Sequence, residues 1–337
     1  MSVELVERLL AVPPELEASE PPEARGEARD SVRLLVSDRS TGRFAHARFR
    51  DLPRLLRTGD LLVVNDSATI PAALDAARPD GTPIVVHLST RIDPVLWIVE
   101  PRGAVDAGAM LGLPNGASIV LLAPVRPASP RLWYARLAVD GALDDYLRTY
   151  GRPIRYRHVP RAYPLDLYQT IFAQHPGSVE MPSAGRPFTA RVLHELRLRG
   201  VEWVALTLHC GVASLENDES PPPERFAISP ATAAAVNAAR ASGRRVVAVG
   251  TTVVRALESA AVDGQVVANS GWADVVVTPE RGVRIAGGLL TGLHDPAASH
   301  LRLLGAFLHD GALRAAYEAA IARGYRWHEF GDLHLIV

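Results

Sequence analysis

"TPIVVHLS" (residues 82–89), "LWIVEPR" (96–102), "ASIVLLAPV" (117–125) and "RLWYARLAV" (131–139) are short runs rich in β-branched and aromatic residues, cut by Gly-, Pro- and Asp-rich turns. Runs so closely spaced suit an antiparallel barrel or compact sheet, since they leave no room for crossover helices. From residue 165 the pattern changes. "LDLYQTIFAQH", "TARVLHELRLRG", "VEWVALTLH", "SPATAAAVNAARASG", "RRVVAVG" and "TVVRALESAA" alternate helical with strand-like runs, which indicates a mixed or mostly parallel α/β layer. Strands are also expected at "SVRLLVSDR" and "RFAHARF", separated by a turn at residues 40–42, and at residues 61–64. The fold class expected is α/β. A mixed-sheet main domain, built from residues 1–71 and 151–337, is interrupted at 72–150 by a smaller antiparallel β-barrel-like domain. The charged stretch "EASEPPEARGEARDS" reads as an extended surface loop.

With 337 residues and 48% hydrophobic content, the chain can bury a large core, which excludes fibrous and wholly disordered classes. Lys and Arg number 36 against 37 Asp and Glu, so a net charge of -1 supplies no global attraction for nucleic acid. Any RNA partner must meet a local patch. The lone Cys210 allows no internal disulfide and no thiolate zinc cluster, and reads as a buried, inert thiol. No apolar run approaches the roughly 20 residues needed to cross a bilayer, so a cytoplasmic protein with no membrane partner is expected.

Several stretches carry candidate chemistry. Residues 61–64 form an apolar strand that ends in Asn65, Asp66 and Ser67, a trio that either faces a ligand or caps a turn. Gly250, Thr251 and Thr252 stand between a strand and a helix, where hydroxyls and free backbone N–H groups hold anions, although neither a dinucleotide fingerprint nor a phosphate-loop lysine is present. On the following helix Arg255 and Glu258 have the i,i+3 spacing of an ion pair. Thr291, His294 and Asp295 gather before Pro296 and suggest hydrogen bonding or proton handling, with a helix cap as the plain alternative. The 11 histidines show no spaced ligand set, so no metal is expected.

Taken in order, "RDSVRLLVSDRSTGRFAHARFRDL", "GDLLVVNDSATIPAAL", "YQTIFAQHPGSVEMPSAGRPFTARVLHEL", "VEWVALTLHCGVASL", "RRVVAVGTTVVRALES", "GLLTGLHDPAASHLRLLGAF" and "YRWHEFGDLHLIV" resemble the S-adenosylmethionine:tRNA ribosyltransferase-isomerases of queuosine biosynthesis. The resemblance covers almost the whole chain. It implies an α/β domain interrupted by a β-barrel, S-adenosylmethionine as co-substrate, and a tRNA bearing a deazaguanine precursor as partner. The ribosyl part of S-adenosylmethionine would move to the aminomethyl group of that base and isomerise to give epoxyqueuosine. Positive sulfur acidifies the adjacent C5′ and later leaves within neutral methionine, so the site must remove a C5′ proton, ease the departure of adenine and exclude water.

Carried over residue by residue, the resemblance points to His294, Asp332 and Glu224 as catalytic candidates, with His209 a further candidate to replace an imidazole of the family. It points to Asn65, Asp66, Ser183, Gly185, Gly250, Thr251, Thr252 and Thr291 as co-substrate contacts. Departures stand beside it. Pro187 occupies the place of a family histidine, Arg186 adds a cation able to hold a carboxylate or phosphate, and Leu293 replaces an aromatic residue. A lysine near Ser299 is missing. These changes keep two alternatives open: ribosyl transfer to a small-molecule amine acceptor outside tRNA, and a non-catalytic S-adenosylmethionine-binding protein. A monomer is expected.

Overall fold

A computed structural model describes residues 12–212, 223–293 and 300–337. Its main element is a mixed sheet of nine strands among the described residues. Across the sheet they run Asn269–Ala273, Glu224–Ile228, Glu202–Leu208, Leu61–Asn65, Val246–Val249, Gly288–Gly292, Leu333–Ile336, Arg33–Ser37 and Phe44–Arg48. The four from Glu202–Leu208 to Gly288–Gly292 are mutually parallel, and their neighbours on either side are antiparallel to them. Leu61–Asn65 and Val246–Val249 are buried along their whole length, which is why they read as unbroken apolar runs rather than alternating ones. Helices Pro230–Ala241, Thr251–Ser259 and Asp310–Ala322 cover one face, and Ala190–Leu198 with Leu52–Leu55 covers the other.

The second element is a closed barrel of six antiparallel strands, in the order Trp133–Ala138, Leu96–Pro101, Pro83–Arg91, Ala73–Ala77, Met110–Gly112 and Ser118–Pro124. Alternate residues such as Leu74, Val86, Val99, Ile119 and Ala135 fill its interior. The fold class is as expected from the sequence. The chain enters and leaves the barrel at one seam. Ala73 and Arg152 exchange two backbone hydrogen bonds of 2.9 and 3.0 Å there. Gly151 packs so closely on Pro71 that a Cβ would collide with the Pro71 carbonyl oxygen.

Two local expectations give way to tertiary contacts. "LDLYQTIFAQH" forms only a 3-10 turn at Leu165–Tyr168 and then a short strand, His175–Ser178. The segment is held by distant partners, because the Gln169 side-chain amide brackets Thr69, accepting from its N–H at 2.9 Å and donating to its carbonyl at 2.8 Å. The charged stretch near the N-terminus folds into 3-10 turns at Pro22–Arg25 and Arg29–Ser31. Glu23 pins it there by pairing with Arg29 and Arg186.

Candidate functional site

The carboxyl ends of parallel strands are where open α/β sheets bind ligands. In this sheet five stations lie along that edge, one strand apart: residues 208–209, 65–66, 250–251, 291–292 and 332. The pairings Leu206 with Asn65, Val63 with Ala248, Val249 with Leu290 and Gly292 with Leu333 set their register. Four strand spacings make the edge about 19 Å long.

The middle stations hold the groups free to meet a ligand. Gly250 has φ +105°, a conformation that ends the strand and starts helix Thr251–Ser259, and no side chain caps that helix. Among the described residues its first N–H groups are therefore spare donors. The turn Ser183–Gly185 folds over this point: a Cβ on Gly250 would lie 3.7 Å from that of Ala184 and 3.3 Å from the Thr252 hydroxyl. Thr291 is buried one strand further along. Ser183, Gly185, Gly250, Thr251, Thr252 and Thr291 thus come together. Thr189, a few residues on, caps helix Ala190–Leu198 by accepting from the Val192 N–H at 3.3 Å.

Asn65 and Asp66 are next to this group, but their side chains serve the protein. The Asn65 amide donates to the Leu208 carbonyl at 2.8 Å and accepts from the Leu208 N–H at 3.0 Å, tying the two strand ends together. The Asp66 carboxylate accepts the Thr207 hydroxyl at 2.6 Å.

Beyond them, the flank facing the barrel holds His209 and Glu224. A hydroxyl chain reaches His209. The Cys210 N–H donates to Ser178 at 2.9 Å, Ser178 to Ser67 at 2.7 Å, and Ser67 lies 2.7 Å from His209 Nδ1. With Ser67 donating to Nδ1 the ring proton lies on Nε2, whereas a Ser67 hydroxyl turned to the His175 carbonyl at 3.4 Å accepts from Nδ1–H instead. Burial, aided by His175 and Arg225, lowers the affinity of His209 for a second proton. Its ring packs on Gly177, where a Cβ would lie 2.5 Å from Nδ1. The ring also lines a cleft of about 460 Å³, walled by Thr90, Arg91 and Trp97 of the barrel and by Arg225.

Glu224 is buried. One oxygen accepts the Gly211 N–H at 3.0 Å and the other meets Arg255. Burial pushes its carboxyl up, and the Arg255 guanidinium pulls the other way. Arg255 therefore does not pair with Glu258 as its spacing suggested. Glu258 instead accepts from Arg281 and from the backbone of Arg284 and Ile285. The Cys210 thiol is buried as expected, and burial raises its pKa.

At the far end Asp332 is likewise enclosed. Its oxygens accept the Arg33 N–H at 2.6 Å and the Arg326 N–H at 2.7 Å, while burial raises its pKa. His294 lies outside the described residues. Arg186, expected to present a cation to a ligand, is buried on Phe330, paired with Glu23 at 2.7 Å and bonded to the Leu167 carbonyl. Ser178, Gly177 and His175 were not singled out in the sequence. Ser178 and Gly177 stand in a visible Gly/Ser loop, but nothing local links them to His209, since Ser67 and His209 are 142 residues apart. Among the described residues no group of three or more His, Cys, Asp or Glu is arranged to hold a metal.

A mixed α/β sheet with a closed barrel inserted in it, and a glycine and hydroxyl turn at its strand edge, defines the class. The chain belongs to the queuosine biosynthesis protein family, whose model matches residues 10–336. It is 39% identical over 324 residues to the S-adenosylmethionine:tRNA ribosyltransferase-isomerase of Moorella thermoacetica, covering 92% of this chain and 94% of the relative. It is also 39% identical, over 334 residues with the same coverage, to the enzyme of that name from Thermus thermophilus. The crystal structure of S-adenosylmethionine tRNA ribosyltransferase from Thermotoga maritima is similar at a TM-score of 0.57. It shares 29% identity, covering 98% of this chain and 100% of that one.

Proposed function

We propose that this protein is an S-adenosylmethionine-dependent ribosyltransferase-isomerase of queuosine biosynthesis. It takes the ribosyl part of S-adenosylmethionine and places it on the aminomethyl-deazaguanine of a tRNA, giving epoxyqueuosine. The observation that carries this reading is the 39% identity, over nine-tenths of both chains, to relatives bearing that activity in their names. At that similarity the small-molecule acceptor and the non-catalytic binding protein are not favoured, despite Pro187 and Leu293.

In this reading the middle of the strand edge receives S-adenosylmethionine. The N–H groups at Thr251 and Thr252 suit its carboxylate, Gly250 allows close approach, and Ser183, Gly185 and Thr291 stand beside them. Asn65 and Asp66 hold the adjoining strand ends. The neutral His209 ring offers a hydrogen bond to the ligand, and His294 remains an acid–base candidate. Glu224 and Asp332 spend both carboxylate oxygens on protein donors and so act by positioning Gly211, Arg255, Arg33 and Arg326. Residues 72–150 form a barrel domain inserted in the main domain built from residues 1–71 and 151–337. A tRNA substrate favours a cytoplasmic location, and a monomer suffices for the site. No described helix is long and apolar enough to cross a membrane.

The test is incubation of the purified protein and S-adenosylmethionine with the precursor tRNA, or separately with free amines, followed by mass spectrometry. Adenine release with ribosyl incorporation into the tRNA is expected. Release only with a free amine, or no release with either acceptor, would overturn the reading.

A further inference from the structure

The chain contains no lysine, so arginine carries all 36 of its fixed positive charges. Five of them fall within residues 148–161, "RTYGRPIRYRHVPR", a stretch without a single Asp or Glu. This segment is the strap by which the chain returns from the barrel to the main sheet. Its inward residues are firmly held. Ile154 enters the barrel core, the Tyr156 hydroxyl bonds Glu180, His158 meets Glu329 at 2.9 Å and stacks on His328, and Val159 packs in a cluster with Met181 and Phe330. Arg155, Arg157 and Arg161 lie between these anchors and are exposed.

Two of the five arginines are neutralised locally, Arg148 by Asp145 and Arg152 by Asp75. Among the described residues no carboxylate pairs with Arg155, Arg157 or Arg161. Arg155 reaches the Pro160 carbonyl. The acids nearest the strap are committed elsewhere: Glu180 to Tyr156, Glu329 to His158, and Glu100 to His87, Arg102 and Arg131. Anchoring also sets the strap beside the site, since Met181 stands two residues before Ser183 and Phe330 two before Asp332.

We propose that Arg155, Arg157 and Arg161 form the phosphate-binding strap for the tRNA, holding its backbone where the nucleotide to be modified enters the strand-edge site. The inference rests on the tRNA reading above. A chain of net charge -1 cannot draw a polyanion by its overall field, so attraction must come from uncompensated local charge. Guanidinium groups on a backbone already ordered by buried anchors lose little further freedom when they meet phosphates.

The experiment compares the parent protein with Arg155→Gln/Arg157→Gln/Arg161→Gln, and with Arg314→Gln on an outer helix as a control. Precursor tRNA affinity is measured against salt, together with S-adenosylmethionine affinity and the KM and kcat of ribosyl transfer. For the triple variant the log–log salt slope should become shallower by about 2–3, at ~0.7–0.9 per lost phosphate contact. Its KM for tRNA should rise by about tenfold or more, with kcat and S-adenosylmethionine affinity unchanged and the control matching the parent. An unaltered slope and tRNA affinity in the triple variant would overturn the proposal, as would a parent protein that does not bind the tRNA. A parent that binds the tRNA without transferring ribosyl would sink the functional reading alone, and the slopes would still decide the role of the arginines.

Discussion

The middle of the strand edge and its two flanks are built in opposite ways. At Gly250–Thr252 the backbone offers N–H donors that no side chain caps among the described residues. At the flanks the polar groups are more conspicuous in the sequence, yet Glu224 and Asp332 have both carboxylate oxygens occupied by protein donors. A polar side chain at a strand end is available to a ligand only if the fold has not already used its hydrogen bonds. Buried groups that are fully partnered hold the edge in shape, and the less conspicuous glycine and threonine turn is left to bind.

The comparison breaks most readily at Glu224. Replacing it by Ala removes the carboxylate that pairs with the buried Arg255 guanidinium, and we expect a loss of about 3–5 kcal/mol of stability in urea unfolding. If Glu224→Ala kept the parent's stability and lost only turnover, the flank would be chemical rather than structural. A smaller effect is expected in the middle. Gly250→Ala forces a side chain into a left-handed conformation and toward the Thr252 hydroxyl, at a cost of about 1–3 kcal/mol. Here S-adenosylmethionine affinity measured by calorimetry should fall, which distinguishes a binding turn from a merely strained one.

The smallest effect concerns His209. Its pKa is depressed in the fold, so its contribution to stability is fully present above the unfolded value of about 6.5 and is lost as pH falls through the depressed value. If neutral His209 is the working form, the acid limb of kcat/KM lies below pH 6.5. With Ser67 as the donor to Nδ1, Ser67→Ala should move that limb upward, with a several-fold loss at pH 6 and little change at pH 8. An unshifted limb in this variant would remove His209 from the proton chemistry.

Fold class was legible because periodicity and spacing are local. Four short β-branched runs cut by turns leave no room for crossover helices and so read as one antiparallel sheet, and the unbroken apolar runs at 61–64 and 246–249 can be satisfied only when buried on both faces. The turn at Gly250 was legible for the same reason, since a glycine between a strand and a helix marks a backbone position a side chain would obstruct. The helix expected at 165–175 failed because Gln169 and Thr69, 100 residues apart, bond to each other's segments. Arg186 gave no local sign that Glu23 would neutralise it. The tautomer of His209 depends on Ser67 and Ser178, and the pairing of Arg255 on Glu224 rather than Glu258. The sequence by itself determined which segments become strands, helices and turns, because those preferences reside in a few adjacent residues. Which polar groups remain free at the strand edge was decided only by the tertiary structure, because a hydrogen bond is spent or spare according to partners that folding brings from distant parts of the chain.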